Sequence, residues 1–146
     1  MPASLSLRLD QFRALAGEPG VTVIPVFREI LADVVTPVVA QATLGSAEGS
    51  FLLESVVGGE KWARYSFVGF EPQRIVRGVA DRFETVIGSN VTREDGVDPL
   101  ERLRETLAEY APPPEVDGLP RFWGGAVGYV TYDAVRRFEP KIGAAL

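Results

Sequence analysis

The stretch SFLLESVVGGEKWARYSFVGFEPQRIVRGVADRFETVI, residues 50–87, decides the fold. Residues 50–57, 62–70, 73–79 and 82–87 are rich in β-branched and aromatic side chains, and Gly, Pro and Asp punctuate the gaps. The run therefore reads as four short strands. Gly58-Gly59 suits a two-residue type I′ turn, whose central residues both need positive φ. Such a turn sets Val57 against Glu60, Ser55 against Trp62 and Leu53 against Arg64. Ser55 and Arg64 then share one face as diagonal neighbours, with Cβ atoms about 7–8 Å apart or less. Glu54 lies on the other face, flanked by Lys61 and Tyr65.

Working outward, Leu5, Leu9, Phe12 and Leu15 recur at helical spacing until Gly17 and Pro19-Gly20, which predicts an amphipathic helix over residues 6–16. Val21 to Ile30 is β-rich but broken by Pro25, as in an edge strand or a bend. Thr36-Pro37 reads as an N-cap with proline in the first helical position, opening a helix to about Leu44. Beyond the strands, Gly88-Ser89-Asn90 is a turn. Asp98 to Glu101 has the form of a capping box, with Glu101 reaching back. Leu100, Leu103, Leu107 and Tyr110 make one apolar face for a helix over 99–110, which Pro112-Pro113-Pro114 stops. Residues 121–130 read as a glycine-rich strand and 132–138 as a short helix. Strands grouped between helices give an α+β fold with an antiparallel-rich sheet.

Composition removes several functions. The 146 residues suffice for one domain. With no histidine and no cysteine, the Ser-His-Asp triad, Cys-His nucleophiles, His- or Cys-ligated zinc and disulfides are all excluded. Carboxylate, lysine, tyrosine or oxygen-ligated magnesium chemistry remains. A net charge of −5 argues against a nucleic-acid surface, which needs a basic stripe. No apolar run approaches the roughly 18 residues of a membrane span, and no secretory signal is visible at Met1-Pro2-Ala3-Ser4. The expected location is cytoplasmic.

Two segments carry chemistry. In the strand around Ser55, two polar residues stand among Phe51, Leu52, Leu53, Val56 and Val57, and buried polar groups need partners. One reading satisfies them locally, with Glu54 paired to Lys61 or an arginine. The other uses a hydroxyl and a guanidinium on one face to hold a small zwitterion, because arginine's fork matches a carboxylate. Spacing alone does not choose between them. In the second segment, residues 119–133, Gly124, Ala126 and Gly128 alternate and leave one strand face almost bare, open to another backbone or a ligand. Neither a dinucleotide nor a P-loop motif is present. Asp133 and Arg137 stand four apart, the spacing of a helix-surface pair.

Phe51-Leu52-Leu53-Glu54-Ser55 followed by Arg64-Tyr65-Ser66-Phe67-Val68-Gly69 resembles the LLES … RYSF(I/V)G pair of the anthranilate synthase large subunit, component I, a chorismate-utilising family. Phe122 to Glu139 is similar to the (F)xGGxVGYxxYDxVRxFE stretch that closes the amino-terminal region of that family. Pro25 to Ile30 and Thr36-Pro37 fit as well. The resemblance implies that Ser55 belongs to the site for tryptophan, the feedback inhibitor, with Glu54 beside it and Arg64, Tyr65, Ser66 and Lys61 contributing. It implies a full-length lyase that uses Mg2+ and ammonia, delivered by a glutamine amidotransferase subunit, to convert chorismate to anthranilate and pyruvate. The chorismate and magnesium residues of the family lie in its carboxy-terminal region, so residues 1–146 are expected to be non-catalytic alone, to bind no metal and to self-associate through uncovered apolar surface. Two alternatives stay open: the amino-terminal region of aminodeoxychorismate synthase, and a free-standing amino-acid-binding module.

Overall fold

The computed structural model describes residues 5–45, 47–54, 65–114, 117–139 and 141. The chain forms two compact units, Met1–Pro114 and Glu115–Leu146. The first opens with α1 (Leu9–Ala16) and α2 (Pro37–Leu44), followed by β1 (Phe51–Leu53) and β2 (Phe67–Gly69). Then come β3 (Ile75–Val79), β4 (Arg82–Ile87), β5 (Asn90–Asp95) and α3 (Pro99–Ala108). β1 and β2 form a two-stranded antiparallel sheet, and β3, β4 and β5 a three-stranded antiparallel meander in that order. The α+β class expected from the residues is the one observed.

The helices begin where polar side chains satisfy their first amides. Thr36 Oγ1 accepts from Val39 N at 3.2 Å ahead of Pro37, and Asp98 Oδ1 accepts from Leu100 N at 2.9 Å ahead of Pro99. Glu101, the other half of the expected capping box, also bonds along the helix. Its carboxylate accepts from Arg104 Nε at 3.0 Å, one turn further along an exposed face. A charged donor three residues away outcompetes a neutral amide for a carboxylate.

The meander turns twice through two residues. Ala80-Asp81 joins β3 to β4 with Ala80 at φ 52°, and Gly88-Ser89 joins β4 to β5 with Gly88 at φ 58°. Its core is the ring of Phe83, 2% exposed, the one fully buried large side chain among the described residues. Phe83 lies opposite Gly78 on β3 and Glu94 on β5. A Cβ on Gly78 would come within 2.4 Å of Pro99 Cβ, so the bare backbone there lets the first turn of α3 settle on the sheet. From α3, Arg102 places its guanidinium 5.9 Å from the Phe83 ring centre and reaches Glu94 at 3.1 Å.

The next row of the meander is ionic. Arg77, Glu84 and Arg93 stand directly opposite one another. Arg77 Nη1 and Arg93 Nε each donate to the Glu84 carboxylate at 2.8 Å, and Arg77 also pairs with Glu48. The Arg93 guanidinium foremost, and Arg77 after it, hold the Glu84 carboxyl below its ordinary pKa.

Two β-rich segments, the first of them read as an edge strand or a bend, are not strands. Residues 21–30 form none. Their main chain bonds at isolated points instead, with Thr22 N and Val23 N donating to Ala111 O at 2.8 and 3.2 Å and Ser6 N to Phe27 O at 2.9 Å. Pro25 supplies no N–H to continue a ladder. In the second unit, residues 121–130 also form no strand. A single-residue-wide bare face makes a strand only against an edge, and the described residues of that unit contain no other strand. That unit holds a 3-10 turn, Tyr132–Ala134, running into the short α4 (Val135–Phe138). Asp133 Oδ1 meets Arg136 Nε at 3.9 Å, one residue short of the expected four-residue spacing to Arg137.

Two outcomes follow. Gly78→Ala is expected to lower stability by about 1–3 kcal/mol, the usual cost of forcing extra volume into a tight contact, read as a lower urea midpoint; an unchanged midpoint contradicts the close approach of Pro99. Because the Glu84 pKa is lowered on folding, its contribution is complete above the unfolded carboxylate pKa of about 4.3. It is lost as pH falls through the lowered folded value. Glu84→Gln should remove part of the acid-induced loss of thermal stability; an identical acid profile contradicts the ladder.

Candidate functional site

The antiparallel pairing of β1 with β2 joins the two segments singled out in the sequence. Its rungs are Phe51 with Gly69, Leu52 with Val68 and Leu53 with Phe67. The expected register, with Leu53 against Arg64, is therefore wrong by three positions. Gly58-Gly59, the turn from which that register was counted, lies outside the described residues. An odd displacement also exchanges the faces. Glu54 follows the last rung in β1, and Tyr65 and Ser66 precede it in β2, outside the paired positions.

Glu54, Tyr65 and Ser66 are thus gathered at one end of the pair, just past the Leu53–Phe67 rung, and all three are exposed. The Tyr65 ring centre lies 6.2 Å from that of Phe67, with the planes tilted by 33°. Ser55, Lys61 and Arg64 lie outside the described residues. At the other end, Phe51 lays its ring over Gly69, where a Cβ would come within 2.1 Å of it. An aromatic ring facing a strand glycine covers backbone that no side chain would cover. α2 packs against both strands, so the cap at Thr36 also fixes the support of this small sheet.

A second concavity, which the residue pattern did not reveal, is a groove of about 300 Å3 between Thr22, Val23, Gln73, Arg74, Ile87 and Glu109-Tyr110, which follow α3. Thr22 organises it: its Oγ1 donates to Glu109 O and accepts from Ala111 N, both at 2.7 Å. Arg74 pairs with Glu109 at 3.0 Å and holds its guanidinium 5.5 Å from the Tyr110 ring centre. The groove's two charges are thus spent on each other. The partners are separated by more than thirty residues, so no local motif signals them.

Magnesium asks for several converging oxygen ligands. Among the described residues no three acidic side chains come together to hold a cation. They do not fit a magnesium site, and no step is assigned to that ion. Among the same residues, no helix is long and apolar enough to cross a membrane.

No protein-family model matches the chain, and no solved structure matches it. Curated proteins do. Anthranilate synthase component 1 of Pseudomonas aeruginosa is 42% identical over 134 residues, covering 91% of this chain and 27% of that protein. The protein of the same name from Aquifex aeolicus is 38% identical over 139 residues, 94% of this chain and 27% of its own length. A probable anthranilate synthase component 1 of Schizosaccharomyces pombe is 41% identical over 133 residues, 90% and 24% respectively. The chain spans about a quarter of the length of the curated relatives it matches.

Proposed function

We propose that this chain, a homologue of the amino-terminal region of anthranilate synthase component 1, contributes the tryptophan-sensing part of such an enzyme. The observation that carries the reading is the β1–β2 pairing. It sets Leu52 and Leu53 of the LLES segment against Val68 and Phe67 of the RYSFVG segment, the two motifs on which the resemblance rests. In this reading the Ser55 hydroxyl and the Arg64 guanidinium hold the polar ends of tryptophan. The Glu54 carboxylate receives its ammonium, and Tyr65, Ser66 and Lys61 complete the pocket. Each pairing is of the kind that a zwitterion requires.

The larger polypeptide, with Mg2+ and a glutamine amidotransferase subunit, converts chorismate and ammonia to anthranilate and pyruvate. Residues 1–146 form its amino-terminal region and do not catalyse that reaction alone. A cytoplasmic location goes with this role. Uncovered aliphatic surface along Ile30, Leu31, Val34, Val38 and Val39 favours self-association of the chain, read as concentration-dependent sedimentation.

Calorimetric titration tests the reading. The chain is expected to bind L-tryptophan in preference to L-phenylalanine. Ser55→Ala should weaken tryptophan by about tenfold or more, as befits a hydrogen bond to a charged group. The same preparation given chorismate and ammonium should form no anthranilate. Equal affinity in the Ser55 variant removes the site assignment, and anthranilate production removes the non-catalytic one.

A further inference from the structure

We infer that the groove beyond the end of α3 is a second ligand site, in which Arg74 holds the carboxylate of a small molecule with an apolar body. This site is independent of the tryptophan reading. Its lining residues all lie in the first unit and among the described residues. Val23 and Ile87 supply aliphatic wall, and Arg74 and Glu109 bring opposite charges to it.

Arg74 and Glu109 pair, but the pairing uses one corner of the guanidinium. Nη2 meets Glu109 Oε2 at 3.0 Å, while Nε is buried and has no hydrogen-bond partner among the described residues. A buried donor without an acceptor is costly. The ion pair offsets little of that cost, because the Glu109 side chain is 49% exposed and solvent screens it. Arg8 shows what a complete fork looks like in this chain: its Nε and Nη2 donate to the two oxygens of Asp10 at 3.2 and 3.1 Å. Glu109 is placed less freely. Its main chain is held by Thr22 Oγ1, which donates to the carbonyl, and by its own N–H, which donates to Thr106 O.

A carboxylate entering from the groove can take both Nε and Nη2 once the guanidinium turns its edge outward, with Glu109 released to solvent. The Tyr110 ring, 5.5 Å from the guanidinium carbon, supports the cation through that turn. Val23 and Ile87 then cover the ligand's apolar body. A volume of about 300 Å3 stands at the small end of ligand sites and suits a body of about one ring. Glu109 competes for the same guanidinium and repels any anion, so it restrains the site it lines.

Titration of the 146-residue chain with sodium benzoate, followed by arginine Nε–H and backbone amide resonances, tests the inference. Benzoate should move the Arg74 Nε–H resonance downfield and shift the Val23 and Ile87 amides, all saturably. Glu109→Gln should tighten benzoate by about two- to fivefold, the strength of the competing ion pair. Arg74→Lys keeps the charge but loses the fork, and should weaken benzoate by about tenfold or more while circular dichroism stays native. Benzyl alcohol, with the same ring and no carboxylate, should leave the Nε–H resonance in place. An Nε–H resonance unmoved by benzoate, or moved equally by benzyl alcohol, overturns the inference. Unchanged or weaker benzoate binding in Glu109→Gln overturns it too, and that sign decides alone if Arg74→Lys does not fold.

Discussion

The contact of α3 with the Phe83 row is the interaction on which the larger sheet depends. Phe83 fills the middle strand, Gly78 leaves its neighbour bare, and Pro99 and Arg102 close over the two from the helix. Burying one phenylalanine side chain contributes about 1.5–3 kcal/mol. Ordering each residue's backbone costs about 1–2 kcal/mol. A single such ring is therefore a small anchor, and the Arg77–Glu84–Arg93 row on the other face adds alignment more than burial. Much apolar surface stays uncovered, with Leu31 87%, Val34 90% and Tyr129 91% exposed. That distribution accords with relatives roughly four times as long: a larger fold has more to bury.

The β1–β2 pair is smaller still, three residues in each strand. Strands that short need support, which α2 and the Phe51–Gly69 contact provide. The consequence for function is positional. Beyond the last rung of the pair the described residues are exposed. Glu54, Tyr65 and Ser66 occupy that end. The groove beside Arg74 offers more volume but less chemistry, because its guanidinium is already engaged by Glu109 and Tyr110.

Much of the fold was legible in the residues. β4 runs over Arg82–Ile87 as its β-branched run foretold, and β3 differs only in beginning at Ile75. Both proline-led helices start behind the expected caps, because capping depends on neighbours in sequence. β5 was not foreseen: Asn90-Val91-Thr92-Arg93-Glu94-Asp95 carries three charges, and only its partner Glu84 explains why Arg93 belongs in a sheet. Residues 121–130 have strand-like alternation, yet alternation specifies a face and not a partner. The register of β1 against β2 differs for a related reason, since alternation fits several registers and only the partner's rungs choose one. Of the candidate site, motif likeness named the residues, while the Leu53–Phe67 rung beside Glu54, Tyr65 and Ser66 required the observed pairing.

The central claim is that tryptophan is held at the end of the β1–β2 pair. Backbone amide resonances followed by NMR during tryptophan addition test it most directly. The account predicts saturable shifts at residues 51–54 and 65–69, with 82–95 in the meander unmoved. Shifts confined to Thr22, Arg74 and Tyr110 around the groove, or none at millimolar tryptophan concentrations of about 1 mM, where a ligand of micromolar affinity saturates, would contradict it.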